Sequence, residues 1–284
     1  MFSLTLKSEW GELVMGKDLG TPFTVVEIEG LSSPEATINM SDLALVDGKR
    51  YNSAKTQVRT LNIAFAIEYD AARNRLEVYK VLRVKKPVRM IYESLVRNVY
   101  IDGYVQQVEI SHFEMKQIVT LTMVCPQPYF KQNSIASSLL ATNIQAFHFP
   151  VAITEEEPIP LGFYSASPSV TVDNAGEADT GLLIEIQFTG TVGSPTITDL
   201  YSSEYFTVTD TFYNGQTLTI NTFRGEKAAY IEFNGMIYDE LPNVADGSTW
   251  FQLSTPRTFV VSFASGDIDD VSVKFSYYPL FEGV

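Results

Sequence analysis

The chain of 284 residues is 45% apolar and 12% aromatic, which is enough to bury the cores of two globular domains. Only 19% of the residues are charged and the mean hydropathy is near zero, a composition that excludes intrinsic disorder and a membrane-embedded chain. The first 20 residues carry charges where a signal peptide has an apolar stretch, and no apolar run approaches the roughly 18 residues of a bilayer span. We therefore expect a protein that is made and folded in a cytoplasm.

Charge is divided unevenly along the chain. Residues 1–131 contain 16 Lys and Arg against 15 Asp and Glu, a net charge of +1, whereas residues 132–284 contain 4 against 19, a net charge of −15. Nucleic acids and anionic membranes bind through clustered Lys and Arg, so the second half should repel both. The charge pattern predicts two unlike domains and no direct nucleic-acid or membrane partner.

The first motif is GELVMGKD at residues 11–18, which agrees with the first seven positions of the phosphate-binding loop GxxxxGK[ST]. The eighth position fails, because Asp18 would place a carboxylate near the phosphates where a hydroxyl should bind magnesium. No buried strand precedes the motif either. We interpret the agreement as chance and predict no cofactor.

Alternating apolar residues from Arg59 to Tyr69 predict a half-buried strand. The next segment, 71–84, predicts the one helix of this half, with Leu76, Tyr79 and Leu82 at spacings of three among Arg and Lys side chains, and Pro87 limits its end.

Two further segments of the first half predict a hairpin. Residues 99–110 are rich in Val, Ile and Tyr, and residues 117–125 place Val, Leu, Met and Cys at alternate positions after a polar break. Pro126 and Pro128 close this region, because proline cannot donate a hydrogen bond to a strand ladder. We predict a sheet-based first domain over residues 1–131.

Residues 132–160 predict a linker. The segment begins with small polar residues and ends with three glutamates, 155–157, beside Pro158 and Pro160, a composition that favours an extended, solvated chain. The glutamates are poor candidates for catalytic carboxylates, since nothing in such a linker would desolvate them and raise a pKa.

The second domain, residues 161–284, predicts an antiparallel β-sandwich. Short alternating strands are separated by turn residues, among them the pairs Asn214-Gly215, Asn234-Gly235 and Asp246-Gly247, which tolerate the positive φ angles of tight turns. Almost no helical pattern interrupts them. The chain as a whole is therefore predicted to be mainly β.

Residues that could support chemistry are few and scattered. Cys125 is the only cysteine, and His112 and His148 are the only histidines, so a zinc site or a nucleophile paired with a histidine base has no local support. The aspartates 267, 269 and 270 lack the spacing of a calcium loop and predict a polar turn. We predict no metal site and no catalytic residue, and hence a protein that is not an enzyme.

Trp250 is the candidate for contact with a glycan. It follows a predicted turn together with Phe251, and exposed aromatic side chains on a sandwich commonly stack on sugar rings. The alternative is structural: because strands alternate faces, one of the two aromatics would lie in the core and the other would be an isolated surface residue.

The order of these features resembles the siphophage distal tail protein family over nearly the whole chain. In the first half the resemblance lies in residues 47–52 (DGKRYN), 59–65 (RTLNIAF), the basic helix, 100–105 (YIDGYV) and 125–131 (CPQPYFK). In the second half it lies in residues 173–178, 214–222, the Asn234-Gly235 turn and 248–253 (STWFQL). The chain departs from the family at residues 254–257 (STPR), where many relatives have Gly and Asn.

The resemblance implies an N-terminal β-sandwich with one helix that forms a hexameric ring around a channel, and a C-terminal galectin-like antiparallel β-sandwich that projects outward. Such a ring joins the tail tube protein to the tail-tip (tail-associated) protein, and its outer domains can carry receptor-binding proteins. It implies a location at the tail tip of the virion. A nearly neutral first domain could pack against copies of itself, while six acidic outer domains would stay apart.

Two other classes of function remain open at this point. The second domain could act as a carbohydrate-binding module that recognises a glycan of the host surface, and this role is compatible with a place in the ring. A cell-wall hydrolase ranks last, since no local signature identifies the two carboxylates that glycosidases bring together by folding.

Overall fold

The computed structural model describes residues 2–16, 20–43, 47–114, 116–145, 162–166 and 169–284. The chain divides into two compact units, of which the first comprises Met1–Ser134 together with Leu280–Val284 and the second comprises Ile135–Pro279. The chain therefore passes between the units twice. That return of the last five residues to the first unit is a feature the sequence did not predict.

The described residues are mainly strands, which confirms the predicted fold class. The elements of the first unit are β1 (Phe2–Ser8), β2 (Gly11–Met15), β3 (Phe23–Glu29), β4 (Ala36–Asp42), β5 (Lys49–Thr56), β6 (Arg59–Ile67), α1 (Ala71–Val81), β7 (Pro87–Ser94), β8 (Asn98–Ile110), β9 (Gln117–Cys125) and β10 (Phe130–Gln132). Those that follow are β11 (Ala136–Leu139), β12 (Ala141–Gln145), β13 (Gly162–Ala166), β14 (Ser169–Val172), β15 (Leu183–Phe188), β16 (Val192–Gly193), β17 (Thr196–Asp199), β18 (Tyr205–Thr207), β19 (Thr211–Phe212), β20 (Thr217–Asn221), β21 (Ala228–Phe233), β22 (Met236–Asp239), β23 (Arg257–Ser262), β24 (Val271–Tyr277) and β25 (Leu280–Phe281). Short 3₁₀ turns cover Leu241–Asn243 and Ile268–Asp270.

The first unit is built on one antiparallel sheet in the order β2-β1-β7-β8-β9-β6-β3. Its two edge strands, β2 and β3, contact each other, so the two layers of the fold belong to a single sheet that curls over on itself. Alternate residues of the long strands of this sheet enter one core, as Leu61, Ile63 and Phe65 do on β6. The predicted hairpin of β8 and β9 is confirmed, with a bulge between Val105 and Gln107.

Helix α1 is confirmed, but it ends at Val81 and not at residue 84. Leu82 leaves the helical conformation, and the backbone N–H of Lys85 donates to the carbonyl oxygen of Val105, so the chain turns away to begin β7. The buried residues of the helix are Val78 and Val81, whereas Leu76 and Tyr79 are exposed. Leu82, the third residue of the predicted stripe, lies just beyond the helix and is buried in the core. Leu76 and Tyr79 point outward because the sheet contacts the side of the helix that carries Val78 and Val81.

The segment expected to be a linker, 132–160, begins with regular structure. Residues 136–139 form β11, which pairs with β24 in the second unit, and residues 141–145 form β12, which pairs with β13. The reason is that small polar residues such as Ser137 and Ser138 fit an edge strand as readily as an extended linker. Residues 146–160, with the glutamates 155–157, lie outside the described part of the chain, and there the linker stays a prediction.

The second unit is an antiparallel sandwich, as predicted. A sheet in the order β11-β24-β15-β20-β21-β22 and a sheet in the order β14-β23-β17-β18 bury one apolar core between them. The positive φ angles expected at the tight turns are present at Gly215, Asn234, Gly235 and Gly247.

Candidate functional site

Strands β4 and β5 form an arm that stands apart from the sheet of the first unit. They pair with each other in a two-stranded sheet of their own, and every residue of both strands is exposed except Thr56, which is half-buried. A two-stranded hairpin is marginally stable by itself in water, because it has no second layer on which to bury a face. A contact with another chain would therefore add to the stability of the arm.

The two faces of the arm differ in chemistry. On one face polar side chains bind each other: Asn39 Nδ2 donates to Ser53 Oγ at 3.0 Å, and Ser41 Oγ donates to Asn52 Oδ1 at 3.3 Å. This face is polar and solvated. Near the tip, Lys49 and Asp42 form an ion pair of 3.2 Å on the opposite face, since Asp42 follows Met40 in the alternation of β4.

Between its root and that ion pair, the opposite face is apolar and uncovered. Ile38 lies opposite Ala54, and Met40 lies opposite Tyr51, after a bulge that inserts one residue into β5. The side chains of Ile38, Met40 and Tyr51 are 54%, 52% and 61% exposed, and none belongs to either apolar core. One-sided apolar ribbons of this kind are typical of surfaces that another protein chain covers.

Arg59 anchors the root of the arm. Its side chain is 4% exposed and donates to the carbonyl oxygens of Pro128 at 2.6 Å, Ser32 at 2.6 Å, Glu282 at 2.5 Å and also Gly30. The guanidinium also lies 4.5 Å from the centre of the Phe130 ring. Gly30 and Ser32 belong to the connection that leads into β4, and Pro128 lies between β9 and β10. One buried cation therefore joins these two connections and the C-terminal tail.

The C-terminal tail is held to the first unit at several points. β25 pairs with β10, and Arg97 donates to the carbonyl oxygen of Gly283 at 2.5 Å while its guanidinium lies 4.4 Å from the centre of the Phe281 ring. The backbone N–H of Val284 donates to the carbonyl oxygen of Leu31 at 3.3 Å. The tail thereby fixes the same connection that Arg59 binds.

Two ionisable groups in this region have shifted pKa values. Burial lowers the pKa of Arg59, and the nearby Cys125 and Glu282 oppose that shift. Burial also raises the pKa of Cys125 to about 12, although Arg59 acts in the other direction. The thiol is thus neutral and buried in the core at neutral pH, and it is a packing residue with no nucleophilic character.

The structure places the other residues singled out in the sequence at separate positions. Gly11–Met15 is the extended strand β2, which cannot wrap a phosphate, and Lys17 and Asp18 lie outside the described residues. His112 lies in the turn between β8 and β9, and His148 is not described. Ile268–Asp270 form a 3₁₀ turn, and the carboxylate of Asp267, the residue before it, accepts from the backbone N–H of Asp269.

Trp250 is half-buried, and Phe251 is a core residue. The indole meets the ring of Phe206 edge to face at 4.8 Å between centroids, and the ammonium of Lys227 lies over it at 5.5 Å. Much of the indole is therefore engaged within the protein. The proposal that it contacts a glycan stays a prediction.

Within the described residues, no three His, Cys, Asp or Glu side chains stand close enough together to hold a metal ion. None of the helical segments in the described ranges has the length and apolarity that a bilayer crossing requires.

The sequence comparisons agree with this architecture. Residues 17–125 match the family described as phage tail protein RIFT-related domain, and residues 175–278 match the family described as siphovirus-type tail component, C-terminal domain. No curated protein matches the sequence. The two matched regions, which together span most of the chain, define a structural component of a bacteriophage tail. The chain belongs to the siphovirus-type distal tail (Dit) protein family.

Solved structures show the same fold over the full length. The SPP1 Dit (gp 19.1) protein, described as a paradigm of the hub adsorption apparatus in phages that infect Gram-positive bacteria, is 17% identical, with a TM-score of 0.66 and 99% of each chain covered. A chain of the phage P2 baseplate in its activated conformation with Ca is 9% identical, with a TM-score of 0.54 and 100% of each chain covered. The same values hold for a chain of the phage p2 baseplate with Sr.

Proposed function

We propose that the chain forms the hub ring at the distal end of a phage tail, as a closed hexamer whose role is structural and not catalytic. The observation that carries the proposal is the arm of β4 and β5, whose apolar face no described residue of the same chain covers. We infer that a neighbouring copy covers this face. In a closed ring every pair of neighbouring copies makes the same contact, so the face would be buried in each copy.

The charge distribution supports a ring in which the first units of identical copies contact each other. Residues 1–131 carry a net charge of +1, so copies of the first unit can approach without strong repulsion. Residues 132–284 carry −15 in each copy, which favours second units that stay apart on the outside of the ring. The hub proteins among the structural relatives support a position between the tail tube protein and the tail-tip protein, with second units available to receptor-binding proteins or to a host glycan.

The mass of the full-length chain in solution tests the contact that closes the ring. We expect light scattering at rising concentration to approach six times the 31.7 kDa of one chain. The double substitution Ile38→Asp, Met40→Asp places two charges on the apolar face of the arm and should return the mass to that of a monomer.

The matched control is Asn39→Asp, Ser41→Asp, which adds the same charge to the polar face of the same strand and should leave the mass of the ring unchanged. If both double variants behave alike, the apolar face is not the contact. Averaged micrographs of the particle decide the location, and a position of this chain anywhere except a closed collar at the far end of the tail would refute the hub assignment.

A further inference from the structure

Strand β22 is an uncovered edge of the second unit. All eight residues from 232 to 239, which include the β21–β22 turn, are exposed, although four of them are large and apolar. Phe233 is 36% exposed, Met236 63%, Ile237 70% and Tyr238 49%. An exposed apolar edge strand pairs readily with another strand, and proteins usually shield it.

The exposure follows from the unequal size of the two sheets. β22 is the last strand of the six-stranded sheet, which faces a sheet of four strands. Tyr238 lies opposite Ile231, a core residue, and Met236 lies opposite Phe233, so these side chains continue the inner face of the sheet beyond the core. They form an apolar ledge that the smaller sheet leaves open.

The backbone at this edge is ready to accept a strand. In an antiparallel ladder, hydrogen-bonded residue pairs alternate with pairs that are not hydrogen-bonded. The two-residue turn makes Phe233 and Met236 a hydrogen-bonded pair, and the bond from Glu240 N–H to Ala229 O makes those two residues another, so the pair of Glu232 and Ile237 is not hydrogen-bonded. The N–H and C=O groups of Ile237 therefore point away from β21, toward the free edge. Among the described residues, no strand pairs with this side of β22.

Charge decides what kind of chain fits the edge. On the outer face Glu232 and Asp239 flank Ile237, and the described cations of the unit are largely engaged: Arg224 pairs with Asp179, Arg257 with Asp199 and Lys274 with Glu185. A second copy of this strongly acidic unit would be repelled, whereas a cationic segment would be attracted.

We propose that β22 is a strand-addition site for an extended, basic segment of a different protein of the tail. The added strand would alternate apolar side chains, which contact Met236 and Tyr238 on the inner face, with Lys or Arg side chains beside Glu232 and Asp239 on the outer face. The proposal rests on the proposed function, since it takes the chain to be part of a tail particle, and it assigns the outer unit a docking role.

The test uses intact particles assembled with variants of the full chain. Ile237→Pro removes only the N–H that points to the free edge, so the fold of the unit should tolerate it, and Ile237→Thr keeps that N–H as the matched control. By quantitative mass spectrometry we expect one other tail protein to fall at least tenfold relative to this chain with Ile237→Pro and to stay at its normal ratio with Ile237→Thr.

A photo-crosslinking amino acid in place of Tyr238 gives an independent readout in the same particles. We expect a crosslink to a segment of another protein that alternates apolar residues with Lys or Arg. The proposal is overturned if all protein ratios stay normal with Ile237→Pro, or if the crosslink joins another copy of this chain, reaches an uncharged or acidic segment, or does not form. Micrographs of these particles test the ring separately, so that a misplaced hub and an unoccupied edge give different results.

Discussion

Replacement of Arg59 by Met tests whether a single buried cation holds the arm and the C-terminal tail to the first unit. Met keeps much of the aliphatic length of Arg but removes every donor. Four carbonyl oxygens from three separate segments then lose their hydrogen bonds, and the contact with the Phe130 ring loses its charge.

The expected loss of stability follows from the burial of these groups. The bond to Pro128 is fully buried, and a buried hydrogen bond to a charged donor contributes about 1.5–3 kcal/mol. The other three acceptors are partly open to water, which can replace the donor, so each contributes less, about 0.5 kcal/mol. The cation–π contact adds about 1 kcal/mol. Because the variant no longer has to bury a charge, part of this sum is offset, and a net loss of about 3 kcal/mol remains.

Tryptophan fluorescence can follow the first unit alone. The chain has two tryptophans, Trp10 in the first unit and Trp250 in the second, so in a Trp250→Phe background the signal comes from Trp10. The free energy of unfolding falls by about 1–3 kcal/mol for each molar increase in urea. A loss of about 3 kcal/mol should therefore lower the urea concentration at the unfolding midpoint by about 1 M or more. Arg73→Met, on the exposed side of α1, is the matched control and should change stability by less than about 0.5 kcal/mol. Equal midpoints for the two variants would refute the anchoring role of Arg59.

Three further predictions concern other positions. Burial raises the pKa of Cys125 to about 12 against a usual value of 9.0, so the folded state favours the neutral thiol. The contribution of Cys125 to stability should be constant below pH 9 and should fall by at most about 1.4 kcal/mol per pH unit between pH 9 and 12. In urea titrations, the difference in unfolding free energy between the parent and Cys125→Val should therefore change with pH in that range and stay constant below it. Gly103→Ala would bring a Cβ within 2.7 Å of the Val124 carbonyl oxygen and should cost about 1–3 kcal/mol, and a variant as stable as the parent would contradict this packing. Trp250→Ala should lower the melting temperature of the second unit through its contact with Phe206, and a glycan array with the full chain decides whether it also abolishes binding to a sugar.

Local chemistry in the sequence determined the strands and turns. Alternation with a period of two identified the buried faces of β6 and β9, because successive side chains of a strand point to opposite sides whatever the strand pairs with. The Asn-Gly and Asp-Gly pairs identified turns, because glycine and asparagine accept positive φ. The split in charge between the two halves also needed no structure, and neither did the order of motifs that resembles the distal tail family.

Only the tertiary structure decided which apolar faces are covered. Ile38 and Met40 on β4 alternate with polar residues just as Leu61 and Ile63 do on β6, yet one pair is exposed and the other is in the core. The same holds for the ledge on β22 and for the exposed Leu76 and Tyr79 of α1. Burial depends on which strands from distant parts of the chain meet, as β25 and β10 do, and pairings of such long sequence separation leave no local pattern for the sequence to reveal.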